Sequence, residues 1–184
     1  MRKKRRISFL TQEEVARLLI LPDPTTLLGV RDLAILTVLC STGLHVTELA
    51  ALNLSDVDFN GQRLIVGGKR GRVVSVAITA LAMLTGYLVF LRKVPGAIVN
   101  NQAVFLNYKG QRLSHDGVCA IIRWYLAQAG LKAKAGRCLL RHSFAMEACR
   151  QGATHGELLR LLGLSSKSTV KIYKVLTRQR RAGG

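Results

Sequence analysis

Apolar positions along the chain recur at a helical period, give way once to alternation, and then return to a helical period. Thr11 followed by Glu14 forms a capping box, and EEVARLLI behind it predicts an amphipathic helix. Apolar residues from about Leu27 through Leu33, Ile35, Leu36 and Leu39 predict a second helix ending near Gly43. A short third helix is expected over 46–52, before the turn-rich NLSDVDFNGQ. The period then changes. RLIVG, a turn at Gly68-Lys69-Arg70-Gly71, and RVVSVAI predict a β-hairpin. Residues 79–92 return to helix, and a loop with Pro95, Gly96, Asn100 and Asn101 follows. AVFLN predicts a short strand, and Ser114 is placed to cap a helix that runs through Ala129 and stops at Gly130. The last third predicts helices over about 138–150, 156–162 and 168–176. The pattern is that of a mainly α domain with a small antiparallel β-sheet, an α+β fold.

Length and composition narrow the class. A chain of 184 residues is enough for one domain with a single sizeable core. Hydrophobic residues make up 49% and there are only 3 prolines, which argues for a folded, helix-rich protein. Lysine and arginine number 28 against 10 acidic residues, a formal net charge of +18. Such an excess favours a polyanionic partner, because each neutralised phosphate releases condensed counterions. Ribosomal and membrane-surface proteins share this balance, so charge selects a class and not a function.

Two features test other classes. The stretch 73–91 (VVSVAITALAMLTGYLVFL) carries no charge and is long enough to cross a bilayer. Positive charge brackets it on both sides, at Arg72 and at Arg92 and Lys93, so it has no orientation signal. It also divides at Thr79 into a β-branched strand and an N-capped helix, and no membrane association is expected. The cysteines at 40, 119, 138 and 149 form no C-x-x-C pair and have no histidine pattern beside them. They read as thiols in a reducing cytosol, with no metal site. MRKKRR is not a signal peptide, because no apolar run follows it before Thr11.

Three blocks carry a specific resemblance. STGLHVTELAAL (41–52), LLRHSFAMEACRQG (139–152) and LLGLSSKSTVKIYKV (161–175), in that order and at these separations, resemble the tyrosine recombinases of the phage-integrase type. The similarity runs from about Leu10 to Leu176. In that family the first block carries an arginine where this chain has His45. The second carries a histidine where Cys138 stands, then an arginine at Arg141 followed by His142. The third carries a histidine, sometimes a tryptophan, where Leu164 stands, and then a tyrosine at Tyr173. A hairpin lysine falls at Lys69.

The resemblance implies the tyrosine-recombinase catalytic-domain fold of the DNA breaking-rejoining enzymes, and phosphoryl transfer without a metal or other cofactor. Tyr173 would be the nucleophile, Arg141 the phosphate clamp and Lys69 the acid for the leaving oxygen, with His45 at the first arginine position. Each residue also has a plainer reading: Arg141 as a helix-surface charge, Lys69 as a solvated turn residue, Tyr173 as a core aromatic. The family register favours the catalytic roles. His45 offers a single donor, Cys138 a weak one and Leu164 none, so the catalytic set is expected to be degenerate and activity impaired. A catalytically dead DNA-binding or regulatory relative is the alternative, and a basic structural or RNA-binding helical protein a more distant one.

Arg70, Arg72, Lys132, Lys134 and Arg137 are the expected DNA contacts, and His142 is expected to sit behind Arg141 and orient it or the backbone. Residues 1–9 read as a basic arm, 10–176 as the catalytic domain and 177–184 as a basic tail, without the family's N-terminal core-binding domain. The expected partners are double-stranded DNA and further recombinase protomers, with no small-molecule ligand. The expected location is the cytoplasm, on the nucleoid.

Overall fold

In the computed structural model, residues 7–67, 71–92, 102–134, 136, 138–164 and 173 are described. The capping box forms: Glu14 N–H donates to the Thr11 hydroxyl and Thr11 N–H to the Glu14 carboxylate, opening α1 at Gln12–Leu19. Thr26 caps α2, Leu27–Thr42, which ends at Gly43 in the left-handed conformation (φ 63°). Helix α3, Val46–Ala51, follows directly. A 3-10 turn at Leu54–Asp56 leads into a three-stranded antiparallel sheet: β1 (Val57–Asp58), β2 (Arg63–Val66) and β3 (Arg72–Ser75), in that order. Leu64 pairs with Val57 on one side and Val74 on the other, so the buried residues of the sheet share one face. Helix α4 (Ile78–Arg92) comes next, then α5 (His115–Gln128), capped by Ser114. A 3-10 turn at Lys132–Lys134 precedes α6 (Leu139–Arg150) and α7 (His155–Leu162).

Two elements differ from the sequence reading. AVFLN forms no strand, only isolated bridges from Ala103 to Asn53 and from Leu106 to Arg112. Its backbone is satisfied piecemeal instead: Val104 N–H donates to Leu52 O, and Leu106 N–H to the Tyr87 hydroxyl. Conversely, β1 lies inside the segment read as turns, because Val57 turns inward opposite Leu64. The hairpin turn 68–70 and the expected helix 168–176, apart from Tyr173, lie outside the described residues.

Helix α2 is the centre of the main core and packs against α4 and α6. Ala34, Ile35, Leu36, Val38 and Leu39 on it are all buried, each large one contributing about 1.5–3 kcal/mol. Its two charges are buried as a pair: Arg31 Nε donates to Asp32 Oδ1 at 2.8 Å and its Nη1 to Leu106 O at 3.0 Å. A smaller second core holds Ala145, Met146, Cys149, Leu158, Leu162 and Tyr173, with Ile7 and Phe9 against it. Helix α6 joins the two, placing Leu139 and Leu140 in the main core and Ala145, Met146 and Cys149 in the smaller. The uncharged stretch 73–91 divides between β3 and α4 as expected. Among the described residues no helix is long and apolar enough to cross a membrane.

Candidate active site

The first and second resemblance blocks meet at the junction of the two cores. Arg141 lies in the first turn of α6, and its Nη1 donates to Gly43 O at 2.8 Å. Its Nη2 donates to Leu162 O, so one guanidinium ties the end of α2 to the end of α7. Nη1 also lies 3.6 Å from Glu48 Oε2. Burial lowers the pKa of Arg141, Glu48 opposes that, and the like charge of Arg72 adds to it. An arginine remains charged throughout.

Glu48 gathers the neighbouring groups. Its Oε2 accepts from His45 N–H at 2.7 Å and from Arg72 Nη2 at 3.0 Å, besides facing Arg141. The carboxylate thus caps α3 and compensates two guanidiniums. His45 is the N-cap residue of α3, and its Nδ1 accepts from Thr47 N–H at 3.3 Å. Burial, and then the positive charge of Arg141, lowers the His45 pKa, so the ring is neutral near pH 7.

Tyr173 is 1% exposed. Its hydroxyl lies 2.7 Å from His142 Nδ1, with the rings 5.7 Å apart. Burial raises the tyrosine pKa to about 12, against the pull of the Arg141 charge. Burial lowers that of His142, and Arg141 lowers it further. A neutral imidazole thus faces the protonated tyrosine hydroxyl across this contact. This corrects the expectation for His142, which engages the tyrosine hydroxyl and not Arg141 or the backbone.

The remaining expected residues fall into three groups. Cys138 is the N-cap residue of α6 in a left-handed conformation (φ 62°), with no side-chain cap bond. Leu164 packs against the smaller core, and its N–H donates to Leu159 O at 2.9 Å, so its side chain adds apolar surface there. Lys69, Arg70 and Arg137 lie outside the described residues. Lys132 is exposed. Two of the expected DNA contacts are already paired: Arg72 with Glu48, and Lys134 Nζ with the Glu14 carboxylate at 2.6 and 2.7 Å. Sequence reasoning missed Glu48, although its place three residues after His45 is the capping-box spacing. Among the described residues no group of three or more His, Cys, Asp or Glu side chains is arranged to hold a metal ion.

This arrangement can hold a tyrosine hydroxyl on a neutral base beside a cationic clamp, the needs of a phosphoryl transfer. Comparison with known proteins points the same way. The chain is 34% identical over 186 residues to the tyrosine recombinase XerC of Pelotomaculum thermopropionicum, covering 97% of this chain and 60% of that protein. It therefore spans about three fifths of the length of that relative. The crystal structure of XerA recombinase superposes with a TM-score of 0.81 at 26% identity, covering 96% of this chain and 65% of that one. XerH site-specific recombinase, in its post-cleavage complex on palindromic difH DNA, gives a TM-score of 0.79 at 25% identity, covering 95% of this chain and 51% of that one. The sequence model of the phage integrase family matches residues 8–180, and this chain, a tyrosine recombinase catalytic domain in sequence and fold, belongs to that family.

Proposed function

We propose that this chain carries out site-specific DNA strand exchange on double-stranded DNA through a covalent phosphotyrosyl intermediate. The observation that carries the reading is the Tyr173 hydroxyl held 2.7 Å from the neutral His142, next in sequence to the clamp residue Arg141. The Tyr173 oxygen attacks the scissile phosphorus, its proton passes to His142 Nδ1, and the bond to the 5′-oxygen breaks. The departing oxygen takes a proton from Lys69, the role the family resemblance gives that residue. A 5′-hydroxyl of the partner duplex then attacks the phosphotyrosine, releases the tyrosine and rejoins the strands. Arg141 neutralises charge on the non-bridging oxygens in both steps. The phosphodiester energy is kept in the covalent link, so the scheme calls for neither a nucleotide nor a metal cofactor.

Exchange between two duplexes calls for further protomers, and the DNA substrate places the reaction in the cytoplasm, on the nucleoid. His45, Cys138 and Leu164 stand where the family's donors would be, so the reaction is slow. Each preorganised donor lost costs roughly 10²–10³ in rate, and such losses do not simply multiply. These three positions also support a second reading, in which the domain binds DNA or another recombinase without cutting.

A nicked suicide duplex from the gene's own flanks separates the two. The expected result is a slow covalent protein–DNA adduct on a denaturing gel that disappears in Tyr173→Phe. DNA binding without any adduct would overturn the reading and leave the non-cutting one.

A further inference from the structure

We infer that Arg72 supplies the second guanidinium of the phosphate clamp, in place of the arginine that position 45 lacks. The inference rests on the phosphotyrosyl reading above and adds a residue that contacts the reacting phosphate.

The geometry supports this in three ways. First, Arg72 and Arg141 converge on the same oxygen, Glu48 Oε2, at 3.0 and 3.6 Å, which places both guanidiniums at one site. Two positive groups share one carboxylate there, and the surplus charge suits an anion with several oxygens. Second, Arg72 Nη1 is buried and has no hydrogen-bond partner. A buried donor left unmade is costly, and a guanidinium edge with open N–H groups matches two oxygens of a phosphate. Arg141 has less to offer, since its Nη1 and Nη2 already donate to Gly43 O and Leu162 O.

Third, the path of the side chain is enforced. Arg72 passes so close to Gly163 that a Cβ there would lie 2.3 Å from its Nε, and Gly163 itself is left-handed (φ 59°). The side chain thus spans from Glu48, beside position 45, to the corner that precedes Leu164. These are two of the three positions where the expected donors are missing. A structural salt bridge to Glu48 alone would leave Nη1 unexplained. Because Nη1 is covered in the free protein, seating the phosphate must uncover it, which couples clamp formation to DNA docking.

The test uses the full chain and two nicked suicide duplexes of the same flanking sequence. One carries the native phosphodiester at the mapped cleavage position, the other an uncharged methylphosphonate. Arg72→Ala is expected to slow adduct formation on the native duplex by about 10²–10³. On the methylphosphonate the loss should shrink to within about tenfold, because no oxyanion charge needs the guanidinium. Arg72→Lys keeps the charge but not the fork and should fall between the two. It also guards against misfolding in the alanine variant, with circular dichroism of both. Adding His45→Arg to Arg72→Ala should recover adduct formation on the native duplex. Equal losses on both duplexes, or no loss, would overturn the role of Arg72 while leaving the phosphotyrosyl reading intact. No adduct in the wild-type protein with DNA bound would overturn both.

Discussion

The Nδ1 atom of His142 lies 2.7 Å from the Tyr173 hydroxyl oxygen across a separation of 31 residues. A tyrosine whose pKa is pushed up to about 12 is a poor nucleophile unless something takes its proton as it attacks. The imidazole is placed to do so. His142→Ala is expected to slow adduct formation by about 10²–10⁴, the range of a general base, without loss of DNA binding. His142→Gln, which keeps a polar partner without the basicity, should be nearly as slow. A gel time course with excess DNA measures both, and an unchanged rate in either would remove His142 from the reaction.

The same pair predicts a pH dependence. His142 lies below the ordinary histidine value of 6.5 because burial and Arg141 disfavour its charged form. The base form is therefore full at neutral pH, and the adduct rate should fall only on the acid side of 6.5. Stability follows the same sign. The unfolded chain binds the proton more tightly, so stability is complete above the unfolded value and is lost as pH falls toward the folded one. His45 acts in the same direction. The melting temperature should drop between pH 7.5 and 5.5, and by less in His142→Gln. Identical drops would show that His142 does not titrate as described.

Glu48 is the shared acceptor for His45 N–H, Arg72 and Arg141. Glu48→Gln keeps the shape but leaves two guanidiniums facing each other without a counter-charge. The expected loss is about 1.5–3 kcal/mol, the range for hydrogen bonds to charged groups, measured by urea denaturation. A neutral result would mean that the two arginines are compensated elsewhere.

Gly43 ends α2 at φ 63° and its carbonyl accepts from Arg141. A Cβ at this position would lie 2.4 Å from Phe144 Cδ1. Gly43→Ala combines left-handed strain of about 1–2 kcal/mol with overpacking of about 1–3 kcal/mol. It should destabilise the protein by about 2–5 kcal/mol and slow adduct formation as well, since the Arg141 anchor shifts. Stability within 1 kcal/mol of wild type would mean that the Phe144 ring yields freely.

Lys132 and Lys134 separate solvent charge from paired charge. Lys132→Ala is expected to weaken DNA binding and to reduce the slope of log affinity against log salt by about 0.9, one phosphate's worth. Lys134 is paired with Glu14, which joins α1 to the turn before α6. Lys134→Ala should change that slope little and cost less than about 1 kcal/mol of stability, since the pair is partly exposed. Fluorescence anisotropy across a salt series distinguishes them, and equal slopes in both variants would dissolve the distinction.

Local signals were read well from sequence because their physics is local. Thr11–Glu14, Gly43 and Ser114 act within one turn, and each bounds the helix that its position predicts. The hairpin follows from alternation that places Leu64, Val66 and Val74 on one face. The AVFLN segment misled because apolar, β-prone residues are equally suited to a buried irregular stretch. What decided its form was where its N–H groups found partners, on Leu52 and Tyr87. The family register brought Arg141 and Tyr173 into view. It did not reveal that His142 holds the tyrosine or that Arg72 and Arg141 meet at Glu48. Those pairings join residues on separate elements and depend on how the two cores are set against each other.

The division into two cores has a further consequence. Tyr173 is packed in the smaller one, among side chains of α6 and α7, and not in the larger core around α2. Parts of a protein with fewer apolar contacts open at a fraction of the global unfolding free energy. Releasing Tyr173 and melting the domain are therefore separate equilibria. A substitution that loosens Met146 or Leu158 would leave the tyrosine unsheathed for a larger share of the time while α2 and its neighbours stay folded. The domain would then be quicker to be cut by a protease, with no change in the melting of its larger core.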